Sequence, residues 1–390
     1  MQKIRLGIIG MGNMGSGHLQ NVLDGLCPSV TVTAVSDIDP EKLELVKAKD
    51  PSIALFTDTL EMLDSGLIDA ALIAVPHYDH PTYAIECFHR NIHVLIEKPA
   101  GVYTRQVRIM NEEAKKANVK FGIMFNQRTN PLFAKAREIV QSGALGAPKR
   151  LVWIITNWYR TQAYYDSGSW RASWTGEGGG VLLNQAPHNL DLWQWIFGMP
   201  KKIRAFCSFG KYHNIDVEDD VTIYGEYESG ATAVFITTTG ETPGTNRLEI
   251  TGDLGKLVLE EEKLKWWKLA TPEREFCFTV SECFYVPETT YEELTQEAPA
   301  GHPIILENFA KSILEDAPMI APGIEGINSL ALSNAAYISS WTNDFVELPT
   351  DEALFEDHLL RLCREEKLKQ KNLKASDIHE DLQNRWKVRW

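Results

Sequence analysis

The stretch Gly7–Leu19, GIIGMGNMGSGHL, decides the fold. It closes an apolar run, KIRLGIIG, with glycines at positions 10, 12 and 15, and then passes into a segment of helical period, GHLQNVLDGL. A Gly-x-Gly-x-x-Gly triplet by itself is a weak signal. At a strand-to-helix turn it allows a tight reversal and close backbone approach, and the helix start then offers amides to a pyrophosphate. The next apolar run, TVTAVSD, ends at Asp37, 22 residues after Gly15. That is the place for a carboxylate that hydrogen-bonds an adenosine ribose. A glycine turn that merely packs helix on strand does not explain Asp37. Ile38 and Asp39 follow, with no Arg or Lys to hold a 2′-phosphate, so NAD is expected over NADP. The cofactor residues read here are Gly10, Gly12, Asn13, Met14, Gly15 and Asp37.

Outward from this unit, IRLGIIG, TVTAVSD, DAALIAV, HVLIEKP and KFGIMFN read as short strands that barely alternate, with helix-length segments such as QVRIMNEEAKKAN between them. Strands of that kind belong in a sheet covered on both faces, and the β-α-β-α order predicts a doubly wound parallel sheet over residues 1–126. Beyond it, PLFAKAREIVQSGALG is an amphipathic helix, and longer alternating strands follow. These are APKRLVWIITNWY, KIRAFCSFG, DVTIYGEYESG, ATAVFITTTG, RLEITGDLG, KLVLEEEKLKWWKL and REFCFTV. They predict an α+β domain over 127–350 with an open, mostly antiparallel sheet, in which helices return at PIILENFAKSILED and GINSLALSNAAYISSW. Residues 351–390 are charged and helical, an appended arm expected to lie away from the chemistry and to clasp another subunit.

The bulk properties narrow the field. A chain of 390 residues, 44% hydrophobic, holds ample core for two domains. Its net charge of −14 argues against nucleic acid or an anionic membrane as partner. Six cysteines without a CxxC pair, and no His cluster, suit neither a disulfide framework nor a zinc site; a reducing cytoplasm is expected, and no metal. The chain enters an apolar strand within three residues, so no signal peptide is expected, and no apolar run approaches the ~20 residues of a membrane helix.

Two further clusters carry chemistry. AVPHYDH and EKP both stand at carboxyl ends of expected parallel strands, where open α/β sheets bind ligands. Pro76, His80, Glu97 and Lys98 are therefore candidates to face the cofactor, while His77 reads as a turn cap. Lys98 has a bland reading as a solvated lysine, but Pro99 holds its neighbours in one direction, and Glu97 is placed to orient it or compensate its charge. In WTGEGGGVLLNQAPHNLDLWQWIFG, three glycines precede a helix on which Asn184, His188 and Asp191 would share one face. The competing reading has Asn184 capping the helix and His188 as a satisfied core histidine. Between the clusters, TNWYRTQAYYDSGSWRASW interleaves rings with hydrogen-bonding groups, and six of the eleven tryptophans fall between 153 and 195. Ring faces and scattered polar groups match a pyranose. Trp158, Tyr159, Arg160, Tyr165, Trp170 and Arg171, with Arg128 and His188, are the substrate candidates; Trp153 and Trp193 read as packing.

Together the GxGxxG turn, EKP and the GGG…H-x-x-D helix resemble the Gfo/Idh/MocA family, named for glucose-fructose oxidoreductase, inositol dehydrogenase and a rhizopine catabolism protein. The resemblance covers about residues 1–349. It implies a Rossmann domain joined to an open sheet domain through which subunits associate, giving a homo-oligomer (dimer or tetramer). It also implies NAD-dependent oxidation or reduction of a ring hydroxyl of a sugar, glycoside or cyclitol, with Lys98 beside the reacting hydroxyl and His188 as acid/base. Many members carry aspartate where this chain has Asn184. An amide cannot take a proton, which leaves Asn184, with Asp191, a positioning role. The form YYDSGSWR…LLNQAPHNLD resembles dehydrogenases of glucosides acting at carbon 3. The alternatives are a glycosidase using held NAD for transient oxidation and elimination, and a non-catalytic NAD or sugar sensor.

Overall fold

The computed structural model describes residues 2–168, 170–295 and 298–368. The first sheet is built from β1 (Ile4–Ile9), β2 (Val30–Ser36), β3 (Ala54–Phe56), β4 (Ala70–Ile73), β5 (His93–Ile96) and β6 (Phe121–Ile123). Helices α1 (Asn13–Leu23), α2 (Pro40–Lys49), α3 (Thr59–Asp64), α4 (His80–His89) and α5 (Thr104–Lys116) connect them. All pairings are parallel, in the order β3-β2-β1-β4-β5-β6. The order reverses between β1 and β4, and a crevice opens there at the carboxyl ends of the strands. The doubly wound expectation holds. It omitted β3, whose three residues are too few to show a period.

After α6 (Pro131–Gln141) the chain forms β7 (Pro148–Ile155), α7 (Gln162–Asp166) and α8 (Pro187–Phe197). It continues with β8 (Lys202–Phe209), β9 (Glu218–Glu226), β10 (Thr232–Thr238), β11 (Asn246–Gly252), β12 (Gly255–Glu260) and β13 (Lys263–Leu269). These strands, with β14 (Thr289–Thr295) and β15 (Val346–Glu347), make one sheet in the order β14-β13-β12-β11-β7-β10-β9-β8-β15. Only the β7–β10 pairing is parallel among those described. The run KLVLEEEKLKWWKL, expected as one strand, is two: Glu261 and Glu262 both take positive φ, 52° and 58°, and turn a tight hairpin. REFCFTV, expected as a strand, is the helix α9 (Glu273–Thr279). Pro272 starts it, Glu273 and Glu275 occupy its first turn, and none of its side chains is buried, so no sheet face selects the extended form.

Trp193 of α8 stacks on Phe235 at 5.8 Å between ring centres, and Phe133 of α6 packs on Trp153 at 5.8 Å. Both tryptophans are fully buried. α10 (His302–Leu314) returns to the first sheet, where Glu307 accepts hydrogen bonds from the amide and hydroxyl of Ser29 at 3.0 and 2.7 Å. α11 (Gly326–Thr342) lies against β8 and α8.

The described portion of the arm, residues 351–368, contains α12 (Glu352–Leu368), which packs on its own chain. Phe355 is fully buried against Tyr337 and Trp341, and Arg105 and Arg108 of α5 form ion pairs with Glu356 and Glu352. Residues 369–390 lie outside the described residues. No helix among those described is long and apolar enough to cross a membrane.

Candidate active site

A cleft of about 610 Å³ runs along the switch point, a volume suited to a bound small molecule. Gly10, Gly12, Asn13 and Met14 form its floor, Ser36, Asp37, Ile38 and Lys42 one end, and Pro76, His77, His80, Glu97, Lys98, Trp170, Arg171 and Asn184 the other.

The three glycines of the turn have three separate reasons. Gly10 takes a φ of +92°, and a Cβ there would sit 2.6 Å from the Ala74 carbonyl oxygen. A Cβ on Gly15 would lie 1.9 Å from the Gly10 carbonyl oxygen, so this glycine lets α1 close on β1. A Cβ on Gly12 would meet no atom of the chain within 4 Å; that side faces the cleft. The start of α1 has no side-chain cap. An open glycine beside uncapped helix amides fits a pyrophosphate, and Asp37 at the end of β2 fits a ribose. The residues present fit NAD.

At the other end two stretches distant in sequence meet. The Lys98 Nζ donates to the Asn184 carbonyl oxygen at 2.8 Å. Glu97 holds the Lys98 backbone and feels the lysine's charge, while its closest side-chain partner is a histidine of α1. One of its oxygens faces His18 Nε2 at 2.7 Å, and the other accepts the Lys98 backbone amide at 3.1 Å. Burial by itself would raise the Glu97 carboxyl; the hydrogen bond and charge interaction with His18, with His302 and Lys98 beyond, pull it down to about 2. His18 was missed in the sequence, although it stands on the buried face of α1 with Gly15 and Leu19.

His80 lines the cleft, yet its ring is spent on structure: Nδ1 faces the Pro99 carbonyl at 2.7 Å and Nε2 the Val75 carbonyl at 2.9 Å. It thereby ties the end of β4 to the EKP turn. Burial holds His80 below the usual imidazole range, although both carbonyls favour the charged ring. His77 Nδ1 donates to the Glu177 carbonyl at 2.9 Å, and burial, with His80 and Lys98 nearby, depresses its pKa well below the usual value.

Asn184 is not on the helix with His188. It lies in the turns before α8, which begins at Pro187, since proline has no amide hydrogen to continue the preceding ladder. Nor does Asn184 cap α8; the preceding residue is Ala186, without a side-chain cap. The Asn184 amide instead donates to the Glu177 carboxylate, and its oxygen accepts from Gln185 Nε2 at 3.2 Å and the Tyr164 hydroxyl at 3.4 Å. Glu177, also missed, is buried, and burial raises its pKa against the pull of Ala172, Asn184, Arg171 and Lys98. Its signal was a carboxylate inside a glycine-rich turn. His188 is 3% exposed in the first turn of α8, edge-on to Phe125.

The structure reassigns Asp191 and Arg128. Each is buried, and they form a bidentate pair at 2.7 and 2.8 Å, with the remaining Arg128 nitrogen reaching Glu325 at 2.5 Å and the Ile320 carbonyl. Every guanidinium nitrogen has a protein partner, so Arg128 braces α8 rather than reaching for a substrate, and Asp191 serves that brace. Among the aromatic candidates, Trp170 and Arg171 line the cleft, with the Arg171 guanidinium stacked on Trp170 and Tyr164. Arg160 stacks on Trp158 and Tyr164. Tyr165 is buried with its hydroxyl 2.7 Å from Thr239, which turns it away from a ligand role, and Tyr159 is exposed.

The triple glycine has an internal cause as well. A Cβ at Gly178, Gly179 or Gly180 would strike Val102, the Tyr337 hydroxyl or the Glu218 carbonyl within 2.3 Å. Glu218, fully buried, accepts from the Gly180 and Leu182 amides, and burial pushes its carboxyl up to about 7.

The family model for an oxidoreductase family with an NAD-binding Rossmann fold matches residues 4–125, and that for the GFO/IDH/MocA C-terminal domain matches residues 133–258. Myo-inositol 2-dehydrogenase of Thermotoga maritima is 28% identical over 262 residues, 65% of this chain and 74% of that protein. The rhizopine catabolism protein MocA of Rhizobium meliloti is 25% identical over 53% of this chain, and the match spans 62% of its own length. Among solved structures, the WlbA dehydrogenase of Bordetella pertussis in complex with NADH and UDP-GlcNAcA superposes with a TM-score of 0.76 at 25% identity, covering 90% of this chain and 99% of that one.

Proposed function

The chain belongs to the GFO/IDH/MocA family of NAD-dependent oxidoreductases, and from that premise we propose that it is a dehydrogenase oxidising a ring hydroxyl of a sugar, glycoside or cyclitol. A glucoside oxidised at carbon 3 is the first substrate to try. The observation that carries the reading is the meeting of Lys98 with the turn that leads into His188, at the end of the cleft walled by Trp170 and Arg171. The inositol named for the Thermotoga relative and the UDP-GlcNAcA held by WlbA support the substrate class.

In this reading the Asn184 carbonyl and the wall of the turn hold the Lys98 ammonium where it can donate to the substrate oxygen and steady developing negative charge. His188 takes the hydroxyl proton as the carbinol becomes a carbonyl. Bound NAD supplies the hydride acceptor. Trp170 offers a ring face to the CH side of the sugar, and Arg171 a fork of donors to its hydroxyl rim. Asn184 positions Lys98, and Glu177 positions Asn184.

The test is a panel of glucosides, free sugars and inositols incubated with NAD, read as NADH absorbance. Turnover on a ring polyol is expected; NADH binding without turnover on any member of the panel would favour a sensor instead. We also propose that the chain is a homo-oligomer through the open face of the nine-stranded sheet. Its strands alternate buried residues with half-exposed ones such as Thr222, Tyr224, Val234 and Ile236. Light scattering that returns a single-chain mass near 44.0 kDa would refute this.

A further inference from the structure

The ribose end of the cleft contains a cation that local reading of the sequence does not place there. Asp39 caps α2 by accepting the Glu41 amide at 3.0 Å, and Pro40 opens the helix. This start puts Lys42 in the first turn, from which its side chain returns across the carboxyl end of β2. The Lys42 Nζ lies 3.4 and 3.5 Å from the two Asp37 oxygens and 4.0 Å from Asp39. The expectation that no lysine stands ready beside Asp37 is therefore corrected: the chain doubles back to supply one.

Asp37 itself is more committed than a free carboxylate. It is 8% exposed, and it accepts the Met11 amide at 2.6 Å and the Asp39 amide at 2.9 Å. The first of these bonds braces the glycine turn, because Met11 sits between Gly10 and Gly12. Its negative charge is thus partly countered before any cofactor arrives. The contact with Lys42 is of a different kind. At 3.4–3.5 Å it is well outside the range of a tight ammonium–carboxylate hydrogen bond, about 2.7–2.9 Å. The lysine side chain is 39% exposed on a flexible stem, so its head is free to turn toward the cleft at little cost. Among the described residues lining the cleft, Lys42 is the cation at this end; Lys98 and Arg171 stand at the other.

We propose that Lys42 is a cofactor-specificity residue, and that the Asp37–Lys42 pair, rather than Asp37 alone, sets how the site divides NAD from NADP. With a 2′-hydroxyl in place, Asp37 accepts from the ribose and Lys42 stays beside it. With a 2′-phosphate in place, Lys42 leaves Asp37 and pairs with the phosphate, offsetting part of the repulsion from the carboxylate. The site consequently admits NADP, less tightly than NAD, instead of excluding it. This inference rests on the NAD-binding reading of the cleft.

Equilibrium binding of NADH and NADPH, followed by quenching of protein fluorescence, tests it without any sugar substrate. In the native chain the NADPH dissociation constant is expected to exceed that for NADH by about tenfold. In Lys42→Ala the ratio should widen to about 100-fold, since an ion pair with phosphate at a half-exposed site is lost. Lys42→Arg, which keeps the cation, should retain the native ratio. Raising the salt from about 0.05 to about 0.5 M should weaken NADPH binding more in the native chain than in Lys42→Ala. An unchanged ratio in Lys42→Ala, or native protein that binds NADH but no NADPH at millimolar concentration, overturns the proposal. Failure of the native chain to bind either dinucleotide overturns the reading of the cleft itself, and is distinguishable because the proposal about Lys42 fails with NADH still bound.

Discussion

The Lys98 ammonium donates to the backbone carbonyl of Asn184 at 2.8 Å, across 86 positions of sequence. A backbone carbonyl cannot be lost by substitution at 184, so the ammonium keeps its anchor whatever side chain stands there. The Asn184 side chain is left to engage Glu177. The strand end bearing EKP and the turn before His188 are in this way one unit.

Removing the ammonium should separate chemistry from cofactor binding. Lys98→Ala is expected to lower turnover by about 100-fold or more, the usual loss for a donor aimed at developing charge. The dissociation constant for NADH should move far less, since the Gly10–Gly15 turn and Asp37 stay in place. Steady-state rates beside NADH titration decide this, and equal losses in both would put the lysine in the cofactor site alone.

Asn184→Asp places a second carboxylate against Glu177, whose pKa burial already raises. Two touching carboxylates share a proton, so one folded-state pKa rises further. A raised folded pKa gives stability that is present below the ordinary carboxylate range, about 4, and lost as pH climbs through the raised value. The variant should approach native stability near about pH 4 and fall behind by roughly 2–3 kcal/mol by about pH 8. Urea midpoints across that range measure it; a deficit independent of pH would trace the loss to the amide rather than to charge.

Glu218 predicts a pH slope in the native chain. Its carboxyl is pushed up to about 7 by burial, so its contribution is full below the unfolded value and fades as pH rises through 7. The total is on the order of 3 kcal/mol. Glu218→Gln keeps an oxygen for the Gly180 and Leu182 amides without titrating, so native and variant stabilities should diverge in the variant's favour from about pH 5 to about pH 8. Parallel pH curves would remove Glu218 as the source.

Glu366 of α12 accepts from the Trp174 amide at 3.0 Å, the Thr175 amide at 2.8 Å and the Thr175 hydroxyl at 2.6 Å. Glu366→Ala strands the buried Trp174 amide at about 1–3 kcal/mol and removes the acceptor of the half-buried Thr175 amide and hydroxyl. Hydrogen exchange should quicken at Trp174–Gly178, and KM for the ring polyol should rise about tenfold with a smaller change in kcat. Unaltered exchange in that loop would leave α12 without a part in shaping the site.

The sequence alone determined the β1–turn–α1 unit, the alternation behind the parallel sheet, and Asp37 and Lys98 at strand ends. Glycine sterics, strand period and the register of a βαβ unit act over a few neighbouring residues, so they are written locally. Only the tertiary structure decided which charges meet. Arg128 and Asp191 read as separate site residues until packing buried both, where each needs the other to offset desolvation. Lys42 looked remote from the ribose until the start of α2 turned it back, and α1 brought His18 against Glu97, which the sequence had related to Lys98 alone. Glu273–Thr279 has the composition of a strand, yet no sheet face buries it, and the chain stays helical. Partner choice depends on which surfaces lose water together, and that is settled by elements far apart in sequence.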